Sequence, residues 1–165
     1  MMTTRSGSVD PGLLLYLLER CKVGTEELRE ALSNRSGLLG VSGVSGDIRQ
    51  VLQAADQGSA RAQLAYDRFM LSIRRALGAM AGVLGGVDAV VFTGGIGENN
   101  PRVRRDASEA LSGLGLAVDI NASSNTDQDV AAPESQIRAL VIRAREDLTI
   151  LEEVLRLRRQ TPSDG

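Results

Sequence analysis

Residues 88–99, Asp-Ala-Val-Val-Phe-Thr-Gly-Gly-Ile-Gly-Glu-Asn, decide the fold class of this 165-residue chain. Asp88 to Thr93 contains a short β-rich apolar run, the pattern of a buried strand, and it stops at Gly94-Gly95. Pro101 stands where a helix would begin, and the spacing predicts helix to about Leu114. Leu116 to Val118 reads as a second strand, Asn121 to Glu134 as a polar connection, and Ile137 to Ile142 as a third strand. A helix from Arg145 to Arg158 follows, and the tail from Gln160 is expected to fray. Strand, helix, strand, strand, helix predicts an α/β layer in the second half.

The first half reads as mostly helical. Met1 to Val9 is polar and Gly/Ser-rich, a loop or a segment detached from something upstream. Asp10-Pro11 looks like a capped helix start, with Leu13, Leu14, Leu17 and Leu18 as an apolar face. A short helix is expected from Thr25 to Leu32. Ser36 to Asp47, SGLLGVSGVSGD, carries glycines at 37, 40, 43 and 46 and reads as a structured loop, because so many glycines make regular structure costly. A helical turn or two follows from Asp47 to Ala55. Ser59 then caps a long helix ending at Gly85-Gly86, with Leu64, Ala65, Phe69, Ile73, Leu77 and Met80 at helical spacing.

Composition excludes several chemistries. The chain has no histidine, so it contains no imidazole base and no His-ligated metal. Cys21 is its one cysteine, which excludes an internal disulfide or a thiolate cluster; it reads as a small buried hydrophobe near a helix end. Aromatic residues make up 2%, and 19 basic residues against 21 acidic leave a net charge of −2, so a nucleic-acid role is not expected. No apolar run spans a membrane and no signal-peptide pattern opens the chain, which makes a reduced, cytoplasmic setting the default expectation.

Candidate chemistry concentrates after the strand at 88–93. Gly94 to Asn99 offers backbone without Cβ atoms beside a helix start, at the carboxyl end of a strand where open α/β sheets bind ligands. The P-loop pattern fails, since no Gly-Lys-Ser/Thr follows. A dinucleotide fingerprint half fits through Gly95, Gly97 and Asp119, with Asn100 where a third glycine belongs. On pattern alone a nucleotide, a structural turn and another ligand all remain open. Asp47 and Arg49 fit either a capping pair or contacts to a ribose or base. Glu146 and Asp147 fit either a Mg²⁺ site or acids complementing a helix dipole. Arg5, alone in its polar stretch, reads as part of a disordered tail.

Taken together, Thr3-Thr4-Arg5-Ser6-Gly7, Asp10-Pro11-Gly12, SGLLGVSGVSGDIR, VFTGGIGEN and VIRARED occur in the order and spacing of acetate kinase. The chain resembles the C-terminal part of that family, from about Thr3 to Leu151, within the superfamily of sugar kinases, heat-shock chaperones and actin. The resemblance implies a ribonuclease H-like, actin-type lobe over residues 1–159, with a helical first half and a mixed sheet in the second. It implies transfer of the γ-phosphoryl of ATP to acetate, with Mg²⁺, giving ADP and acetyl phosphate. By motif position, Arg5 matches the arginine that holds the substrate and the transferring phosphoryl group. Asp47, Ile48 and Arg49 match the adenosine-side tripeptide; Gly95, Ile96, Gly97, Glu98 and Asn99 match the second nucleotide loop; Glu146 matches the magnesium-linked glutamate. Ala144-Arg145-Glu146-Asp147 departs from the family's usual Thr-Asn-Glu-Glu, and Arg145 there opposes a divalent cation. Ile48, where relatives often have an aromatic, weakens stacking on adenine.

In the family a further lobe supplies another phosphate loop, a catalytic aspartate and a catalytic histidine. The resemblance therefore implies a nucleotide half-site with little turnover alone, active with a separate N-terminal lobe, and a homodimer formed through helices of this lobe. A non-catalytic module that binds ATP or ADP or dimerises, and a dinucleotide-binding domain, are the alternative readings. Acetate, propionate and butyrate are all open as the acyl acid.

Overall fold

The computed structural model describes residues 2–122 and 126–160. The chain divides into two compact units, Met1–Gly86 with Glu109–Leu111, and Val87–Ser108 with Ser112–Gly165.

The first unit is helical: α1 (Pro11–Glu19), α2 (Thr25–Asn34), α3 (Gly37–Ser42), α4 (Ile48–Asp56) and α5 (Ala60–Leu84). The expected caps are present. The Asp10 carboxylate accepts from the Leu13 amide with Pro11 in the first turn, and the Ser59 hydroxyl accepts from the Ala62 amide. Gly85 closes α5 in the left-handed conformation at φ 72°. The core lies where α3 and α4 pack on α5, with Leu38, Val51, Ala62, Ala65, Tyr66, Phe69 and Met70 buried.

Several expectations for this unit fail. The glycine-rich segment after Ser36 is a helix over Gly37–Ser42, not a loop throughout. The apolar face expected of α1 is only half covered, with Leu14, Leu17 and Leu18 half-buried, Leu13 exposed and no residue of that helix fully buried. Along α5 the buried residues run from Ala62 to Met70 with Ala81, whereas Leu64 and Met80 are more than half exposed. Cys21 follows the end of α1 as expected but is exposed, so it is not a core residue.

The second unit carries β1 (Ala89–Phe92), α6 (Gly94–Asn99), α7 (Pro101–Ser108), β2 (Gln128–Asp129), β3 (Arg138–Val141) and α8 (Glu146–Gln160). A 3-10 helix, Glu109–Leu114, follows α7 directly. The sheet order is β1-β3-β2. β1 pairs parallel to β3 in the register Ala89 to Arg138 through Phe92 to Val141, and β2 pairs antiparallel with β3. Val90, Phe92, Ala139 and Val141 alternate onto the buried face with Val103, Ala107, Leu116, Val130 and Ile137 completing the core. Leu116–Val118 is not a strand; only Val118 forms a bridge, to Ala131. The stretch expected to be a plain connection instead contains β2. The frayed tail expected from Gln160 lies outside the described residues beyond that position.

The apolar residues of α8 find no cover: Leu148, Ile150, Leu151, Val154 and Leu155 are all exposed. Exposed apolar surface of this extent drives association. Sedimentation velocity on the wild-type chain is therefore expected to show concentration-dependent self-association, suppressed by Leu151→Glu with Leu155→Glu. A wild-type monomer at high concentration would contradict it.

Candidate functional site

Two short glycine-rich helices organise the candidate residues, and each is held by an arginine from a later helix, α3 from α5 and α6 from α7. In the first unit the amides of Leu38 and Leu39, in the opening turn of α3, donate to the carbonyls of Met2 and Thr3. The closing carbonyls of Gly40 and Val41 accept from the Arg61 guanidinium at 3.3 and 3.1 Å. Supplying partners to both ends is what lets six residues with two glycines stay helical.

That arrangement fixes the strand of chain bearing Arg5. Besides the α3 contacts, Ser36 donates its amide to the Thr4 carbonyl at 2.8 Å and Ser6 donates to Leu32 at 2.9 Å. Arg5 is thus not in a disordered tail: its backbone is pinned while its side chain is exposed. Gly37 has φ +64°, and a Cβ there would lie 2.3 Å from the Met2 carbonyl oxygen and 2.8 Å from that of Arg5. Only glycine allows this approach.

Asp47 caps α4, accepting from the Arg49 amide at 2.9 Å, and the Arg49 guanidinium closes back on the same carboxylate at 2.6 Å. The Arg49 side-chain hydrogen bond, followed by its backbone hydrogen bond, holds the Asp47 carboxyl below its ordinary pKa. Ile48 between them is buried in the core, so its side chain offers no surface for adenine to stack on.

In the second unit, β1 runs into α6, whose first residue Gly94 has φ +73°. Glu98 does more than occupy a loop. Its Oε1 accepts from the Gly94 amide at 2.8 Å and from the Ala144 amide at 2.7 Å. One carboxylate therefore ties the helix after β1 to the segment after β3, at the carboxyl ends of two parallel strands. Asn99 is exposed and folds back along its own helix, its side-chain amide donating to the Gly95 carbonyl at 2.9 Å. Gly97 sits against the Phe92 backbone, 3.4 Å from where its Cβ would be, whereas a Cβ at Gly95 would meet nothing within 4 Å. Gly95 consequently presents bare backbone to open space.

Arg104, fully buried in α7, was not singled out by any motif. Its guanidinium donates to the carbonyls of Gly97 at 2.9 Å, Glu98 at 2.7 Å and Ala122 at 3.3 Å. Burial pushes its pKa down, but an arginine retains its charge, and cations belong at helix C-terminal carbonyls. The signal was an arginine standing between Val103 and Ala107 on the face of α7 that the core needs.

Asp127, also missed, pins the segment before α8. It accepts from the Arg143 amide at 2.9 Å and from the Arg145 side chain at 2.7 Å. The backbone hydrogen bond from Arg143 is the larger cause, and the Arg145 hydrogen bond the next, of its lowered pKa. A depressed carboxylate contributes stability above its unfolded pKa, and that contribution is lost as pH falls through the folded value. The Arg143 amide is therefore expected to stay protected in hydrogen exchange near neutrality and lose protection in strong acid. Equal protection at both extremes would contradict the pin.

Arg145 is thus turned to Asp127, and Glu146 and Asp147 stand exposed in the first turn of α8. No cluster of three or more acidic, histidine or cysteine side chains occurs among the described residues. Mg²⁺ held through one or two carboxylates and substrate phosphates needs no such cluster, so Glu146 fits that mode of binding. Asp119 does not fit a dinucleotide site: it lies on no strand beside β1, and its carboxylate accepts from the Asn121 amide at 2.8 Å within its own turn.

The model of the acetokinase family matches residues 1–152. The chain belongs to that family. Among curated relatives, the acetate kinase of Nostoc punctiforme is 48% identical over 154 residues, covering 92% of this chain and 38% of that protein. The acetate kinase of Acetivibrio thermocellus is 44% identical over 158 residues, covering 94% of this chain and 40% of that protein. The crystal structure of Porphyromonas gingivalis acetate kinase superposes with a TM-score of 0.83 at 35% identity, over 94% of this chain and 40% of that one. A propionate kinase structure from Francisella tularensis gives 0.81 at 34% identity, over 92% and 39%. This acetokinase chain thus has the actin-like fold of its relatives and spans about two-fifths of their length. Arg5, Asp47, Ile48 and Arg49 fall in its first compact unit, and Gly95 to Asn99 with Glu146 in its second. No described helix of the chain is long and apolar enough to cross a membrane.

Proposed function

We propose that this chain is the C-terminal nucleotide-binding part of an acetate kinase-type phosphotransferase. The observation that carries the proposal is the Glu98 clamp, which brings the GGIGEN helix and the RARED segment together at the ends of β1 and β3. That is where sheets of this class bind ligands. In the reaction, a carboxylate oxygen of acetate forms a bond to the γ-phosphorus of ATP while the bond to the β,γ-bridging oxygen breaks, leaving ADP and acetyl phosphate. Catalysis of this transfer is mainly positioning and charge stabilisation.

Each residue has a role suited to it. Gly95, with bare backbone, and Ile96 lie in the first turn of α6, where amides receive phosphate oxygens. Asp47 and Arg49, preorganised as a pair, contact the adenosine side, with Ile48 supporting them from the core. Arg5, exposed on a pinned backbone, holds the carboxylate and the transferring group through its planar fork. Glu98 and Arg104 position α6. Glu146 holds Mg²⁺, which when bound neutralises phosphate charge. The acyl acid is acetate or a close homologue, since one structural relative is named a propionate kinase. The reaction proceeds in the cytoplasm.

These 165 residues contain no histidine and span about two-fifths of their relatives' length, so by themselves they are expected to bind nucleotide with little or no turnover. A second reading, assembly through helices into a homodimer, has its own support. Val83 and Leu84 at the end of α5 are 77% and 72% exposed, beside the small residues Gly78, Ala79 and Gly82. Photolabelling with 8-azido-ATP and peptide mapping tests the nucleotide reading. The label is expected in peptides spanning 47–49 or 94–99, competed by ATP and not by NAD. Labelling elsewhere, or equal competition by NAD, would overturn it.

A further inference from the structure

We infer that the first unit carries an anion site separate from the nucleotide residues, in an open cavity of about 810 Å³ between the N-terminal loop, the α2–α3 junction and α5. Three arginines line it, Arg35 before α3 and Arg68 and Arg75 on α5, together with Ser6 and Ser8 of the loop. None of the three arginines makes an ion pair among the described residues. Several neighbouring arginines are committed elsewhere. Arg74, adjacent to Arg75, is paired with Glu109; Arg29 is paired with Glu26; and Arg61 is spent on the α3 carbonyls.

Three like charges around one cavity repel unless a counter-charge is present, and the chain as a whole is slightly acidic, so the concentration is local. Arg68 and Arg75 are seven residues apart on one helix face, about 10 Å along its axis. A single small anion meets one of them well; an extended one meets both, with Arg35 lining the same cavity. Guanidinium forks and hydroxyl donors suit phosphate oxygens. The lining has no aromatic ring on which a base could stack. The ligand is therefore a small, multiply charged phosphate compound without need of a nucleobase. The loop that presents Ser6 and Ser8 also presents Arg5, so occupancy here would bear on that arginine's position.

The test is calorimetric titration of the full chain with tripolyphosphate and with inorganic phosphate, at ionic strength matched by sodium chloride. Saturable binding of tripolyphosphate, tighter than of phosphate, is expected. The exposed double substitution Arg68→Gln with Arg75→Gln should weaken it about tenfold or more. Arg29→Gln, an equal loss of charge per site elsewhere, should leave it unchanged. Absence of saturable binding, or equal weakening by Arg29→Gln, would overturn the site. If Gly95→Val abolished tripolyphosphate binding, the anion would belong to the nucleotide site and the proposal would fall while the nucleotide reading stood. Circular dichroism of each variant establishes that folding is retained.

Discussion

Replacing Arg104 with methionine is expected to lower the unfolding free energy by about 3 kcal/mol, because it strands buried carbonyls that a charged donor now satisfies. The side chain is fully buried and donates to three carbonyls, two of them at the end of α6. Methionine has comparable bulk and no donor, so packing is largely kept while the hydrogen bonds are lost. Local consequences should exceed the global one. With its C-terminal carbonyls unpaired, a six-residue helix rich in glycine has little reason to persist. Denaturant unfolding measures the first effect, and hydrogen exchange at residues 94–99 measures the second. A stability change within ~0.5 kcal/mol, the range of an ordinary surface substitution, would contradict the role given to Arg104.

The second large effect is expected at Gly37. Gly37→Val should cost about 3 kcal/mol or more: a non-glycine residue in the left-handed region costs about 1–2 kcal/mol, and the close approach adds to it. The Met2 carbonyl oxygen, 2.3 Å from the added Cβ, is backbone and cannot rotate aside. The loop bearing Arg5 must then move off α3. Gly58→Ala separates the two causes, since Gly58 has φ +92° but nothing within 4 Å of the added Cβ. It should show the conformational cost alone. Equal losses at both positions would remove the argument that Gly37 holds the Arg5 loop by contact.

These two expectations mark the boundary of what the sequence revealed. The starts and stops of α1 and α5 were legible because Asp10-Pro11, Ser59 and Gly85 act locally on their own helix ends. β1 and β3 were legible because a β-rich apolar run has few other uses. The helices α3 and α6 were not. Glycine propensity argues against them, and what overrides it is Arg61 of α5 and Arg104 of α7, each from a later helix than the one it holds. β2 was hidden because two polar residues, Gln128 and Asp129, earn strand geometry only by pairing with β3. The apolar face of α1 was legible as a face, but periodicity shows only that such a face exists, not that this chain buries it. Motif resemblance named Glu98 as a nucleotide-loop residue; geometry adds that its carboxylate holds two backbone amides, that of Gly94 and that of Ala144, the latter 46 positions away.

The central claim is that the α6 backbone receives nucleotide phosphates. Calorimetric titration of the wild-type chain and Gly95→Val with Mg·ATP, with NAD as control ligand, tests it most directly. Gly95 has open space about its would-be Cβ, so valine there obstructs a ligand rather than the fold. The account predicts saturable Mg·ATP binding to the wild type, at least about tenfold weaker binding to the variant, and no heat with NAD. Wild-type binding unaffected by Gly95→Val, or no Mg·ATP binding at all, would contradict it.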